Sequence, residues 1–324
     1  MEKRIMLPHT PLSLCPIGLG TLNAGVKWDG ADAGRIFDAY VDLGGNLIDT
    51  ARVYQDWIPG ETGRSERVVG DWLARSKKRG EVILMTKGGH PVYRKEGDDL
   101  HLSRMTAADM RGDLELSLRA LQTDTIDIYL YHRDDLKQPV EQLIEVMEQF
   151  RREGKIRYYG CSNWTASRIR EAQTYSSRMG YPGFVVDEAF LNLALKHMNP
   201  LPDDTLVYCK DELDEYHHEP DAPLVVSYYS VASGYFHKYL NGGETAVKNN
   251  PYDTTENRAI ALRVKELAEQ YRCGITQVLL AWFSVREYPC VALYGPSRLE
   301  QLAEAMETQQ VPFAADDLKT LDRI

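Results

Sequence analysis

Short apolar runs recur along the chain. Each is followed by a polar or glycine-containing turn and then by a stretch with apolar residues at helical spacing. This alternation predicts buried strands, too brief for helices, each succeeded by an amphipathic helix. The first run, 12–19, enters the turn Gly18-Leu19-Gly20-Thr21 and reads as one strand. Residues 32–43 set Ile36, Phe37, Tyr40, Val41 and Leu43 on a helix, and Gly44-Gly45 then releases a second strand, Leu47-Ile48-Asp49. A polar loop reaches Arg64, and a helix opening at Ser65 carries Val68, Val69, Trp72 and Leu73 on one face. Strand 81–87 follows, then a helix over 106–121 opened by Thr106 with Asp109 three residues on, in the manner of a capping box. Next come strand 126–132, helix 140–152 stopped near Gly154, strand 156–161 and helix 166–179. A sixth strand starts at Phe184 and reaches Asp187-Glu188, and 224–228 is a seventh. Residues 241–253 read as an exposed loop; helices 257–271 and 276–285 precede the eighth strand, 290–294, and a last helix starts near Arg298.

Eight strand–helix units without a break in composition imply parallel strands joined by crossover helices. In one chain of 324 residues they favour an α/β closed (β/α)8 barrel of the TIM type, a single domain spanning 1–324. With 43% hydrophobic residues the chain has material for such a core. A net charge of −10 disfavours bulk binding to nucleic acid or an anionic membrane, which call for a basic surface. No apolar run reaches the roughly 18 residues of a membrane span, and the first residues lack a signal-peptide core. The five cysteines are scattered and never form a C-x-x-C pair, which argues for a reduced, cytosolic setting without a zinc site. His217-His218 read as solvated loop residues, because adjacent histidines point apart and no further spacing suggests a metal. Gly18-x-Gly20 lacks the third glycine and following helix of a dinucleotide fingerprint.

Composition leaves the chemistry open; the strand ends do not. In a barrel of this kind every strand points its carboxyl end at one face. That face would collect Asp49 and Tyr54, Lys87, His132, Ser162 with Asn163, Glu188 and Tyr228 from successive strands. Alone, Asp49 is a cap acid, Lys87 a solvated lysine and His132 a loop histidine. Together they have a chemistry. A carboxylate at the end of a buried strand requires a cationic partner, and Lys87 is the available one. A free phenol titrates at about 10, and a neighbouring ammonium is expected to lower that value. An imidazole beside it can hold a substrate oxygen, so the set reads as a relay that protonates a carbonyl oxygen.

With these residues the sequence resembles the aldo-keto reductase family along most of its length. The resemblance is carried by Gly45-Asn46-Leu47-Ile48-Asp49-Thr50-Ala51 with Tyr54, Gly63-Arg64-Ser65-Glu66, Thr86-Lys87-Gly88-Gly89 and Leu116-Ser117-Leu118 with Leu121. It continues through Asp127-Ile128-Tyr129-Leu130-Tyr131-His132, the stretch 154–163 ending in Cys161-Ser162-Asn163, and Gly295-Pro296-Ser297 before Glu300-Gln301-Leu302. It implies hydride transfer from NADP(H) to a small-molecule aldehyde or ketone, with Asp49, Tyr54, Lys87 and His132 as the catalytic tetrad. Ser162, Asn163 and Glu188 would meet the nicotinamide carboxamide, Tyr228 would stack on the ring, and Gly295, Ser297, Arg298 and Gln301 would hold the adenosine end. Arg298 would favour the 2′-phosphate. Glu188 stands where the family usually has Gln, Tyr229 where a small Ser is common, and Ala305 where Asn is frequent. Trp57 is expected to line the substrate pocket. The polar loop at Gln55, Asp56 and Trp57, with Tyr235, Phe236, His237 and Tyr239, would suit a hydroxylated ligand such as a sugar-derived ketone. Two alternatives stay open: a cofactor-binding regulatory subunit on the same fold, and an NAD-linked dehydrogenase working in the oxidative direction.

Overall fold

A computed structural model describes residues 4–324. Its centre is a closed barrel of eight parallel strands: β3 (Ile17–Gly20), β4 (Leu47–Asp49), β5 (Ile83–Gly88), β6 (Ile126–Tyr131), β7 (Ile156–Ser162), β8 (Phe184–Phe190), β9 (Leu224–Tyr228) and β10 (Cys290–Tyr294). Each strand pairs with its neighbour in chain order, and β10 closes on β3 through Ala292 opposite Ile17. The connecting helices are α1 (Gly30–Asp42), α2 (Arg64–Ser76), α3 (Ala107–Leu121), α4 (Val140–Arg152), α5 (Ala166–Met179), α6 (Glu212–Tyr216), α7 (Tyr235–Val247), α8 (Thr255–Tyr271), α9 (Ile275–Ala281), α10 (Leu299–Met306) and α11 (Ala315–Lys319). As expected of α3, the Thr106 hydroxyl caps it by accepting from the Asp109 N–H at 3.1 Å. No helix among the described residues is long and apolar enough to cross a membrane.

Two apolar layers hold the barrel. Inside, Leu47, Met85, Ile128, Leu130, Val186, Val226 and Val291 fill the lumen. Leu7 and Leu14 join them from a hairpin of β1 (Ile5–Met6) and β2 (Ser13–Leu14) that precedes the first barrel strand and stoppers its amino end. Outside, the alternate side chains of each strand meet the helices, as where Phe37 of α1 stacks on Trp72 of α2 with centroids 4.9 Å apart. Polar strand ends are therefore left for the carboxyl face.

Four expectations change. The run 12–19 is two strands, because Pro16 has no N–H for a continuing ladder. The exposed loop over 241–253 begins as helix: α7 runs on to Val247, bending at Gly243 (φ 62°, ψ −161°), because Tyr235, Phe236 and Val247 are buried. The helix at Arg298 is not the last, since α11 follows it. His217 is not solvated; it is buried, with Nε2 3.0 Å from Asp187 Oδ2 on β8. A carboxylate on a strand attracted the one side chain of the histidine pair that could reach it.

Glu66 of α2 shows what burial does to an acid here. Thr86 of β5 donates to its Oε1 at 2.6 Å, while Oε2 has no hydrogen-bond partner. Burial pushes the carboxyl up to about 7, with the Thr86 bond and the Arg52 charge only partly opposing. The folded protein thus holds this proton more tightly than the unfolded chain, and the associated stability is lost as pH rises through 7. Glu66→Gln should be more stable than the parent above pH 7, on the order of 2–3 kcal/mol, and should lose this advantage near pH 4. Urea melts across that range would check it, and a constant difference would refute the assignment.

Candidate active site

At the carboxyl end of the barrel Asp49 closes β4, Lys87 lies in β5, and His132 directly follows β6. The His132 N–H bonds Gly88 O at 2.9 Å, which ties the β6 exit to the end of β5. Tyr54 sits in the turns after β4; its N–H bonds Ala51 O at 3.1 Å. The four side chains converge. Lys87 Nζ is 2.6 Å from Asp49 Oδ1 and 3.4 Å from Tyr54 OH, and it lies over the Tyr54 ring at 5.1 Å. The Tyr54 and His132 rings meet edge-on at 6.0 Å.

Lys87 also has partners that spacing did not show. It donates to Thr50 O at 2.9 Å, and Glu188 Oε2 stands 3.0 Å away as an ion pair that is not aligned as a hydrogen bond. One buried ammonium thus lies between two buried carboxyl groups. Burial raises both Asp49 and Glu188, Lys87 pulling each back, and for Glu188 the Asp49 charge pushes the same way as burial. Of the two, Glu188 is driven well above the ordinary carboxylate range. The ammonium of Lys87 is held charged: burial opposes this, but Asp49 and Glu188 outweigh it.

The expected lowering of the phenol does not occur. Burial raises Tyr54 above its usual value; Lys87 acts downward, but Asp49 and Glu188 act upward and cancel much of its pull. Tyr54 is consequently a protonated phenol throughout the neutral range. His132 is held well below the ordinary imidazole range by burial, then by His90 and the Arg133 charge, so it is neutral.

Ser162, the last residue of β7, donates to Glu188 O at 2.8 Å, and Asn163 follows it at φ 62°. Asn163 donates to Ser162 Oγ at 3.0 Å and His132 O at 3.3 Å, and accepts from Tyr228 OH at 2.6 Å. Their polar atoms are therefore engaged within the protein. Around the rim, Ser297 N–H donates to Gln301 Oε1 at 2.8 Å at the start of α10, while Asn23 Nδ2 holds Gly295 O at 3.2 Å. Arg298 is exposed there, with Glu300 at 3.5 Å. Lys27, which the sequence reading passed over, donates to Ser297 Oγ at 3.1 Å and adds a second cation to this loop. Ala305 is buried on the inner side of α10, and Tyr229 is half-exposed beside Tyr228.

The pocket wall differs from expectation. Gln55 turns inward to Leu22 O, and Asp56 is spent on Arg52 (3.1 Å) and the Gly63 N–H (2.8 Å). Tyr235 and Phe236 are buried within α7, and His237 bonds Thr276 at 3.2 Å. Trp57 remains, edge-on to Tyr93 at 5.9 Å. From Tyr93 the aromatic line continues to His90 (6.5 Å) and on to His132 (4.6 Å). His90 and Tyr93 were missed; the available signal was a histidine in the glycine turn three residues after Lys87.

Comparison with known proteins accords with this geometry. The sequence model of the aldo/keto reductase family matches residues 16–324. Similar proteins include an uncharacterized oxidoreductase, YrpG, of Bacillus subtilis, 29% identical over 98% of this chain and 94% of the relative. Protein tas of Escherichia coli is 26% identical over 98% and 96%, and an aryl-alcohol dehydrogenase [NADP(+)] of Phanerodontia chrysosporium is 25% identical over 98% and 84%. With a family match over nearly its full length and a barrel whose strand ends gather a phenol, an amine, a carboxylate and an imidazole, the chain belongs to the aldo/keto reductase family of oxidoreductases.

Proposed function

We propose that the protein reduces an aldehyde or ketone to the alcohol with NADPH in the cytoplasm, and that Tyr54 is the general acid. The observation that carries this reading is the continuous contact from Asp49 to Lys87 to Tyr54, 2.6 and 3.4 Å, with His132 against the phenol. The nicotinamide, when bound, supplies the hydride that reduces the carbonyl carbon. The protein's part is the proton. Neutral His132 holds the carbonyl oxygen toward Tyr54, and the phenol releases its proton to that oxygen as negative charge builds there. The phenolate left behind faces the Lys87 ammonium, which Asp49 keeps charged and in place; solvent then restores the proton.

A nicotinamide group fits the residues present. Glu188 Oε2 is buried with no hydrogen-bond partner, and a carboxamide N–H is the donor it lacks. Ser162 and Asn163 flank it, and contact with the carboxamide would exchange the Asn163–Tyr228 bond, leaving the Tyr228 ring to stack. Gly295, Ser297, Arg298 and Gln301 form the proposed adenosine end. A helix start carrying Arg298 suits a 2′-phosphate, which supports NADP over NAD. The NADP(+) in the Phanerodontia relative's name is consistent with that choice. A relative named as a dehydrogenase favours the reverse direction as a second reading. Against it, alcohol oxidation needs Tyr54 as a phenolate, which the raised phenol opposes at neutral pH.

Tyr54→Phe should lower kcat for carbonyl reduction by about 10²–10⁴ while leaving the NADPH Kd unchanged, read by cofactor oxidation and fluorescence titration. Loss of binding with turnover retained would sink the assignment. The parent's reduction rate should stay flat through neutral pH and fall only above about 10, because the reactive form is the protonated phenol. Arg298→Ala should weaken NADPH about tenfold and NADH by less than about twofold. Glu188→Gln removes one upward push on the phenol, so the pH at which alcohol oxidation sets in should drop by on the order of one unit. An unchanged profile would mean that Glu188 does not reach Tyr54 electrostatically.

A further inference from the structure

The pocket holds two imidazoles where the tetrad needs one. His90 follows the glycine turn at the end of β5, and its ring lies 4.6 Å from that of His132. Its Nδ1 is 2.8 Å from Pro91 O. A backbone carbonyl only accepts, so Nδ1 carries the ring hydrogen. Burial, reinforced by Arg133, pushes the imidazole down to about 4, so the ring holds a single hydrogen. Nε2 is then a bare acceptor. It bonds no protein atom and is not shut away from solvent; the 9% of His90 that stays exposed includes this nitrogen. His132 Nε2 likewise bonds nothing in the protein, while its Nδ1 is shut away from solvent.

The reacting carbonyl oxygen cannot satisfy His90, because both groups only accept. The group His90 can receive is a hydroxyl carried on the carbon next to the carbonyl. From the adjacent rings, the lone acceptor and the Tyr54 phenol beside His132, we infer that His90 is a specificity-determining residue and that the substrates are α-hydroxy carbonyl compounds. His132 and Tyr54 take the carbonyl oxygen, and His90 Nε2 accepts from the neighbouring hydroxyl. The Trp57–Tyr93 edge next to His90 covers the carbon skeleton beyond. This inference rests on the reductase reading above and narrows it. It does not draw on Gln55 or Asp56, whose polar groups are occupied within the protein.

The test uses hydroxyacetone against methoxyacetone, which share the electron withdrawal of the neighbouring oxygen and differ in the donor hydrogen. With NADPH, the parent protein should prefer hydroxyacetone in kcat/KM, and His90→Phe should cut that value by about three- to tenfold while leaving methoxyacetone within about twofold. His90→Gln, which keeps an acceptor oxygen, should recover part of the preference. That recovery separates recognition from a merely structural role, which would depress both ketones alike. Equal losses on both ketones, or a preference that survives His90→Phe, overturns the assignment of His90 and leaves the reductase standing. No turnover of any carbonyl by the parent overturns the reductase reading and this one with it.

Discussion

A single ammonium buried at the carboxyl end of the barrel is the constraint on which the rest of the site depends. Lys87 sits among Asp49, Glu188 and Thr50 O, and neither it nor its partners has appreciable contact with water. A charge in that position is tolerated only with oxygen ligands on several sides, and taking one away strands the others. The same contacts join the ends of β4, β5 and β8, so the geometry of the reacting groups and the closure of the barrel are held by common bonds. Function and stability cannot be adjusted separately here.

Two carboxyl groups on one ammonium have a consequence for the phenol. Lys87 draws the Tyr54 pKa down against burial and the Asp49 charge; Glu188 adds a further opposing charge or, when it keeps its proton, a neutral donor. Its protonation is shared with Asp49, so the pair titrates as a unit rather than as two residues. This places Glu188 in two settings at once, as a neighbour of the proton donor and as the one oxygen of the cage with an empty hydrogen-bond position. An amide in its place would do the second task without the first. Overall charge says nothing of this: the chain is net −10, yet its rim presents Arg298 and Lys27 beside one another at the start of α10.

The pocket wall follows from the loop after β5. Gly89 adopts φ 78°, and an added Cβ there would meet Met110 Sδ at 2.7 Å, so the turn requires glycine and His90 is set directly after it. That turn brings His90 against His132 from the next strand and brings Tyr93 toward Trp57. A neutral, aromatic, hydrogen-bonding wall results, in a protein whose outer surface is acidic.

How much of this was legible depended on the range of the interaction. The period of apolar residues determined the strands and most helices, with α4, α5, β9 and β10 at the residues the pattern indicated, because burial on one face acts through neighbours along the chain. Asp49, Lys87 and His132 were recognisable because a polar group at a buried strand end has few explanations other than a partner on the same face. Where a residue's fate turned on something distant in sequence, the pattern was silent or misleading. His217 reads as a solvated histidine until Asp187 is found 3.0 Å away, and nothing along the chain announces that Glu188 stands 3.0 Å from Lys87. Gln55 and Asp56 look like a polar pocket until Leu22 and Arg52 take them inward. Sequence by itself determined which groups stand at the mouth of the barrel. Only the closed tertiary structure decided which of them are paired, which are neutral and which remain open to a substrate, because solvation and charge are settled by neighbours in space.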